Sequence, residues 1–362
     1  MIEAGRVAAL LVGVAIVLAT FGSAIRTVVL PRGNPARITR LVFRSMRRLF
    51  SIRIGRHPTY ERIDRVLAPF APLSLITLVF VWLALVMVGY SGIYLIDTSR
   101  SITDAIILSG SSLATLGFVH PGQVGGVLLV LSEAAVGLVI IALLITYLPS
   151  IYGAFSRREQ VVAYMDTRAG SPPSAAALIV RFWAIEWLEE ISDLWAPWES
   201  WFIDLQETHT TFPSLAFFRS PEPDQSWITS AGVMLDTASL VVSMIDRPRD
   251  PAAELFIRSG YLALRRIATQ FPALVPFPPD PAPTDPISIA REEFDEVWHK
   301  LEDAGVPLVD EPDDAWAAFK GWRVNYDAVL IGLARLTNAP YAAWVSDRSI
   351  VSAGPRRSRR RA

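Results

Sequence analysis

The stretch from Ser101 to Gly126, SITDAIILSGSSLATLGFVHPGQVGG, decides the predicted fold. Its residues 102–113 are mostly apolar and suit a short helix, and the loop TLGF follows at 115–118. Twelve helical residues extend about 18 Å, which is too little to cross a hydrocarbon core of about 30 Å. Because apolar runs long enough to span a bilayer lie on both sides, the sequence predicts a re-entrant pore helix and loop between two transmembrane helices.

Three apolar runs predict transmembrane helices. They cover residues 7–25, 67–96 and 124–155, and only the third contains a charge, Glu133. Each run reaches the roughly 20 residues that a spanning helix needs. The predicted fold class is therefore an all-α membrane protein with three transmembrane helices, a re-entrant pore helix and loop, and an all-α cytoplasmic domain.

The basic residues predict how the chain is oriented. Ten arginines and only two acids lie between residues 31 and 65. Short basic loops stay in the cytoplasm, so we expect the N-terminus outside the cell, the pore loop entering from outside, and the C-terminal region in the cytoplasm. The expected location is the plasma membrane, which the chain crosses several times. The basic segment is also patterned as an amphipathic helix, which predicts binding to anionic lipids of the inner leaflet; a solvated connector is the alternative.

Composition divides the chain into five predicted parts. An N-terminal transmembrane helix occupies 1–30, a basic cytoplasmic amphipathic segment 31–65, and a pore domain 66–155. A helical cytoplasmic domain of five or six helices follows over 156–350, because the apolar pattern there is helical and shows no strand-like period of two. A basic tail at 351–362 is predicted to be disordered.

Caps and prolines predict the helix boundaries of the cytoplasmic domain. One or two helices are expected over 174–210 with a bend near Pro197, and a last long helix from Asp313 to Leu336. Tryptophans at three- and four-residue spacing predict one buried face. The expected helix starts are Ser174, Ser226, Asp250-Pro251 and Asp285-Pro286, and the expected core tryptophans are Trp183, Trp187, Trp195, Trp198 and Trp201. A subunit interface and an aromatic ligand cage are the alternatives for these tryptophans.

Several functions lose support from composition. The chain has no cysteine, which excludes disulfides and thiolate metal sites, and its four histidines include no helical pair, so no metal site is predicted. Residues 156–362 hold 29 acids against 21 basic residues, which argues against nucleic-acid binding. No nucleotide-binding glycine motif or nucleophile–base pair is evident, so we expect neither an enzyme nor a cofactor; a membrane-tethered enzyme is the least favoured alternative.

The loop and its flanks resemble the two-transmembrane potassium-channel pore family. Thr115, Leu116, Gly117 and Phe118 match the family's T-V-G-Y, and the run from 124 to 155 is similar to the inner helix of bacterial members. The resemblance covers about residues 73–159. It implies a homotetramer that passes a monovalent cation, K⁺ by expectation, between backbone carbonyls of these four residues.

The resemblance also implies supporting residues and has departures. Ser112, Glu133 and Gly137 are the expected pore-support or gating residues, with Gly137 as a hinge in the inner helix. Val119, included in the expected filter, stands where the family has its second glycine, and His120 replaces the usual acid. A β-branched residue disfavours positive φ, so the outer end of the filter is expected to have a different shape.

Two functional readings follow, and two roles for the intramembrane acid. The first reading is a tetrameric cation channel subunit regulated by its helical domain, and the alternative is a non-conducting, membrane-anchored structural or signalling protein that retains the pore architecture. Glu133 either ties the inner helix to the pore helix through Ser111 or Ser112, which we favour, or contacts the ion directly.

Overall fold

The computed structural model describes residues 2–30, 36–55, 59–97, 99–271, 274 and 277–348. Over these residues the fold is helical and contains no strand; a single isolated β-bridge joins Ile245 to Leu308. The predicted all-helical class is confirmed for this part of the chain, while the predicted tail at 351–362 lies outside it. The chain divides into two compact units: the first comprises Met1–Pro58 and Val66–Gly153, the second Thr59–Arg65 and Ala154–Ala362.

The helices of the first half of the chain carry most of its apolar length. Helix α6 is continuous for 46 residues although it contains Pro149, so it runs well past the predicted end at residue 155. The helices are α1 Ile2–Val28, α2 Arg37–Ile54, α3 Tyr60–Leu67, α4 Phe70–Tyr94, α5 Ile102–Leu113 and α6 Val124–Ala169.

Helices α1 and α4 approach each other backbone to backbone in the first unit. A Cβ on Gly13 would collide with the carbonyl oxygen of Gly89, and one on Gly92 would lie 2.9 Å from the carbonyl oxygen of Ala9. Small residues permit such contact between apolar helices, where dispersion replaces the hydrophobic effect as the driving force. The two helices therefore pack as a close pair.

Helix α2 is amphipathic, as its sequence predicts, with apolar residues on two sides. Val42 and Phe50 are buried, and the Phe50 ring meets Phe70 edge-on at 5.7 Å between centroids. Leu41 and Ile52 are exposed. Binding of this second side to anionic lipid stays a prediction.

The second unit is a helical bundle built around one central helix. Seventeen of the eighteen residues of α9 are buried, so every side of this helix is covered by protein. The elements are α7 Ala175–Ala184, a 3₁₀ helix Glu189–Leu194, α8 Trp195–Thr211, a 3₁₀ helix Pro213–Phe217, α9 Trp227–Met244, α10 Pro251–Ala268, α11 Arg291–Asp303, α12 Pro312–Arg323 and α13 Asp327–Thr337.

The predicted bend near Pro197 is wrong. The chain breaks earlier, between α7 and the 3₁₀ helix, where Glu186 takes a φ of +57° and the Trp187 N–H donates to the Phe182 carbonyl at 2.8 Å. Pro197 lies in the first turn of α8, where its missing N–H has no helical acceptor to lose. The caps at Ser174, Ser226 and Asp250 are confirmed, because each side chain accepts from a backbone N–H of the helix that follows.

Two other predicted boundaries are also wrong, because distant contacts override local signals. The helix expected at Pro286 begins at Arg291, since the Ser288 N–H and hydroxyl both donate to the Asp327 carboxylate, at 2.9 and 2.7 Å. The helix expected from Asp313 to Leu336 is split at 324–326, where the buried Tyr326 hydroxyl bonds to Asp236 at 2.9 Å. Seven α-helices therefore follow α6 in the described residues, against the five or six expected.

Four segments are long and apolar enough to cross a membrane, judged by length and composition: Glu3–Val28, Tyr60–Tyr94, Val124–Ala169 and Trp227–Met244. Three of them overlap the runs identified from the sequence, and the second ends at Tyr94, two residues before the predicted end at 96. The fourth is α9, which lies inside the second unit. The described part of the chain thus has the composition of a membrane protein.

Candidate functional site

The candidate site begins with α5, whose start is fixed by its own sequence. The Ser101 hydroxyl accepts from the Asp104 N–H at 3.1 Å, and the Asp104 carboxylate accepts from the Ser101 N–H at 3.2 Å. This reciprocal capping box gives a hydrogen-bond acceptor to two N–H groups that have none within the helix. Ser101 is thus the N-cap of α5, and the helix covers the predicted residues 102–113.

The end of α5 is a Schellman turn with an unusual residue at its left-handed position. The Leu116 N–H donates to the Ser111 carbonyl and the Thr115 N–H to the Ser112 carbonyl, both at 2.9 Å. Thr115 has a φ of +55°, where such turns usually place glycine. A β-branched residue in this region is strained, and strain of this kind concentrates at functional positions.

Four successive backbone N–H groups converge on Ser111. Those of Leu116 and Gly117 donate to its carbonyl oxygen at 2.9 and 3.3 Å. Those of Phe118 and Val119 approach its hydroxyl oxygen at 3.1 and 3.4 Å. The loop residues 116–119 therefore turn their N–H groups toward one residue at the end of α5.

This convergence fixes the direction of four carbonyls. The peptide bonds of the loop are trans, and in a trans peptide the carbonyl of one residue points opposite to the N–H of the next. The carbonyl groups of Thr115, Leu116, Gly117 and Phe118 consequently point away from Ser111. A second positive φ, +67° at Gly117, continues the turn. The result is a row of four carbonyls on the outer side of the loop.

The side chains of the loop separate into two groups. Leu116 and Phe118 are 66% and 63% exposed in the single chain. Val119 packs against the apolar core of the first unit and has no positive φ. The departure from glycine at this position therefore costs no backbone strain here.

Ser111 is the residue whose role sequence reasoning missed. It was considered as a partner of Glu133, yet its carbonyl and hydroxyl both serve the loop. The available signal was the presence of three serines in the otherwise apolar α5. Because the role depends on the chain reversing after Leu113, helix periodicity alone could not reveal it.

Glu133 is fully buried and joins three helices of the first unit. The Tyr94 hydroxyl donates to its Oε2 at 2.8 Å, and the Ser109 hydroxyl contacts its Oε1. Ser112 ties α5 to α6 by a separate bond, to the Val130 carbonyl at 2.8 Å. A hydrogen-bonded tie between α5 and α6 is thus present, but its α5 residue on the carboxylate is Ser109, whereas the prediction named Ser111 or Ser112.

Gly137 allows α6 to pack close to the end of α5. A Cβ at this position would lie 2.7 Å from the Leu113 side chain and 3.1 Å from its carbonyl oxygen. Helix α6 continues without interruption through it. The absence of a side chain is therefore needed for packing, and the hinge role stays a prediction.

The second unit brings together a different set of polar residues. His209 is buried, with Nδ1 2.9 Å from the Leu205 carbonyl and Nε2 3.3 Å from Arg158 Nη1. Burial, and then the charge of Arg158, lower the pKa of His209 well below its usual value, so the ring is neutral and carries its hydrogen on Nδ1. The nearby Glu207 accepts from the Thr211 hydroxyl at 3.2 Å. Within the described residues no group of three or more potential metal ligands is found.

Comparison with known proteins identifies no relative, so the functional proposal depends on the geometry of the site. No protein-family model, no curated protein and no solved structure matches this chain. The distinctive features are the carbonyl row after α5, the strained Thr115 and the long apolar helices on either side.

Proposed function

We propose that this chain is one subunit of a homotetrameric cation channel in the plasma membrane, regulated by its helical second unit. The observation that carries the proposal is the row of four carbonyls at Thr115, Leu116, Gly117 and Phe118. Ser111 collects the N–H groups behind them, and the loop residues are exposed in the single chain. Four such rows around one axis form the oxygen cage that replaces the water shell of a monovalent cation, K⁺ in our proposal.

Two physical features support a cation at this place. Helix α5 ends at Leu113, immediately before the row, and the C-terminus of a helix carries a partial negative charge. The positive φ of Thr115 is maintained against its steric cost, as expected where a specific backbone direction is required. Non-helical backbone is tolerated at membrane depth only where it lines a cavity, which four copies would create.

The proposed topology has three spans, α1, α4 and α6. Helix α9 is excluded as a span, because a lipid-facing helix needs an exposed apolar side and α9 has none. Large apolar side chains of α6 remain exposed in the single chain, and neighbouring subunits and lipid would cover them. These residues are Leu128, Leu131, Leu138 and Ile145.

The test compares a glycine of the carbonyl row with a nearby glycine outside it. A Cβ at Gly117 or at Gly122 would meet open space, but only Gly117 has a positive φ. Purified full-length protein in liposomes with a K⁺ gradient should pass K⁺. Gly117→Val should abolish most of this flux, because valine disfavours positive φ, while Gly122→Val should leave it unchanged.

Each contrary result has a clear meaning. A folded tetramer that passes no cation would contradict conduction and favour the alternative, a non-conducting membrane anchor. A monomer in native mass spectrometry would contradict the shared axis. Equal flux in the two valine variants would show that the ion path does not depend on the loop at Gly117.

A further inference from the structure

The second unit exposes an aromatic loop at residues 183–187. Trp183, Ile185 and Trp187 are 37%, 57% and 44% exposed, and all five residues of the loop are on the surface. The sequence predicted both tryptophans in the core, which is correct for Trp195, Trp198 and Trp201 and wrong for these two. Contiguous exposed aromatic surface marks an interaction site more often than a solvated face.

The aromatic loop is held in shape by contacts of its own. The Glu186 and Trp187 N–H groups donate to the carbonyls of Trp183 and Phe182, at 2.9 and 2.8 Å. The Trp187 ring stacks on Phe182 at 5.6 Å with an interplanar angle of 4°. Glu186 occupies the left-handed position, at φ +57°, although it has a Cβ. Such a preformed surface loses little conformational entropy on binding.

The chemistry around the loop selects a cationic ligand. Exposed acids follow the loop directly, and two more end α11. Gly305, two residues beyond the end of α11, lies beside the Trp183 indole. Arg181 is the basic residue next to the loop, and its guanidinium donates to the Thr167 carbonyl. Guanidinium groups stack on tryptophan and pair with carboxylates, so an arginine-rich peptide fits best. The acids are Glu186, Glu189, Glu190, Asp193, Glu302 and Asp303.

The chain itself contains such a peptide at residues 356–361, RRSRRR, which lies outside the described residues. From 156 to 355 the sequence holds 29 acids and 16 basic residues, so the five arginines of this segment are the complementary charge. Arg348, the last described residue, contacts Glu293 in the first turn of α11 at 2.5 Å. The aromatic loop lies at the other end of α11.

Chain length permits the contact. The thirteen residues of α11 extend about 20 Å. Residues 349–355 reach about 23–25 Å when extended. The arginine-rich segment can therefore reach from the start of α11 to the aromatic loop beside its end.

We propose that the aromatic loop binds the arginine-rich segment 356–361 of the same chain. Trp183 and Trp187 receive guanidinium groups on their rings, and the surrounding carboxylates pair with them. The proposal concerns the second unit alone and stands whether or not the chain conducts ions.

The chain has no cysteine, so an introduced pair can be cross-linked without background. Ile185→Cys with Ser358→Cys, in the full-length protein in neutral detergent, should form a disulfide within one chain on mild oxidation. Tyr341→Cys with Ser358→Cys is the control, because Tyr341 is 52% exposed and closer to the segment in sequence. Binding raises the local concentration of the thiols, so the first pair should react about tenfold faster.

Charge provides the second readout. Replacing Glu186, Glu189 and Glu190 with glutamine, or raising the salt to about 1 M, should bring the first pair down to the control rate, since the Debye length falls to about 3 Å. Equal rates for the two pairs would overturn the proposal. A disulfide formed only between chains would also overturn it. So would a fast rate that charge and salt leave unchanged, because the contact would then be purely apolar.

Discussion

Arg219 forms an ion pair with Asp64 across 155 positions of sequence, and both side chains are nearly buried in the second unit. The same guanidinium donates to the Tyr60 hydroxyl at 2.6 Å and to the Thr337 carbonyl at 3.1 Å. Asp64 is one of only two acids in the basic segment 31–65. Asp64, an exception in the basic charge pattern of this segment, therefore fastens α3 to the helical bundle through its ion pair with Arg219.

Removing this arginine should loosen α3. Arg219→Ala leaves the Asp64 carboxylate buried without its partner, which costs about 3–5 kcal/mol for such a pair. Hydrogen exchange at residues 60–65 should rise sharply, with a lower unfolding temperature for the second unit. Arg157→Ala is the matched control, since the Arg157–Asp204 pair is largely exposed and is worth about 0–1 kcal/mol. Equal effects of the two variants would contradict this role of the ion pair.

Ser111→Ala tests the carbonyl row from behind. The change removes the oxygen that accepts from the N–H groups of Phe118 and Val119 but leaves the carbonyl that serves Leu116 and Gly117. We expect K⁺ flux to fall at least about tenfold, equivalent to about 1.4 kcal/mol, with the tetramer intact. Ser150→Ala on the exposed side of α6 should change nothing. Normal flux in the alanine variant would show that the outer half of the loop needs no such support.

Glu133 should tolerate an amide but not truncation. The Ser109 hydroxyl has one hydrogen and two oxygens in range, Glu133 Oε1 and the Met87 carbonyl at 3.0 Å. Glutamine supplies an N–H₂ group toward Ser109 and keeps an acceptor for Tyr94, so Glu133→Gln should retain assembly. Glu133→Ala removes the carboxylate that accepts from the buried Tyr94 hydroxyl, at a cost of about 1–3 kcal/mol. The measurement is the unfolding temperature of both variants in detergent. Equal unfolding temperatures for Glu133→Gln and Glu133→Ala would contradict a stabilising role for the hydrogen bonds of Glu133.

His209 should make the second unit sensitive to acid. Its folded pKa is lowered by burial and by Arg158, so near pH 6 the unfolded chain binds a proton that the folded chain does not. Stability from this group is present above the unfolded pKa of about 6.5 and is lost as the pH falls below it, by up to about 1.4 kcal/mol per unit. Unfolding temperatures at pH 7.5 and 5.5 should differ more for the native chain than for His209→Gln. Parallel slopes would exclude the histidine as the cause.

Features set by neighbouring residues were predictable from the sequence. The bounds and N-cap of α5, and the caps at Ser174, Ser226 and Asp250, depend on contacts within a few positions. The break before residue 327 and the start at Arg291 depend instead on Asp236 and Asp327, which meet their partners only after the bundle forms. Hydrophobic periodicity likewise cannot tell which tryptophans of an aromatic stretch remain uncovered.

The carbonyl row shows the same division. The motif identified the residues 115–118, whereas their orientation comes from Ser111, through a chain reversal that no periodicity encodes. Tyr94 was missed for a similar reason, because its partner Glu133 is 39 positions away.

The meeting of Gly13 with the Gly89 carbonyl has a practical consequence for the first helix. Helix α1 fits α4 so closely that a single methyl group at Gly13 would push the two helices apart. Any shortened version lacking residues 2–28 would leave a groove of bare backbone on α4, which lipid tails fill poorly. Shortened versions of the protein should therefore keep residues 2–28 so that the first unit stays intact.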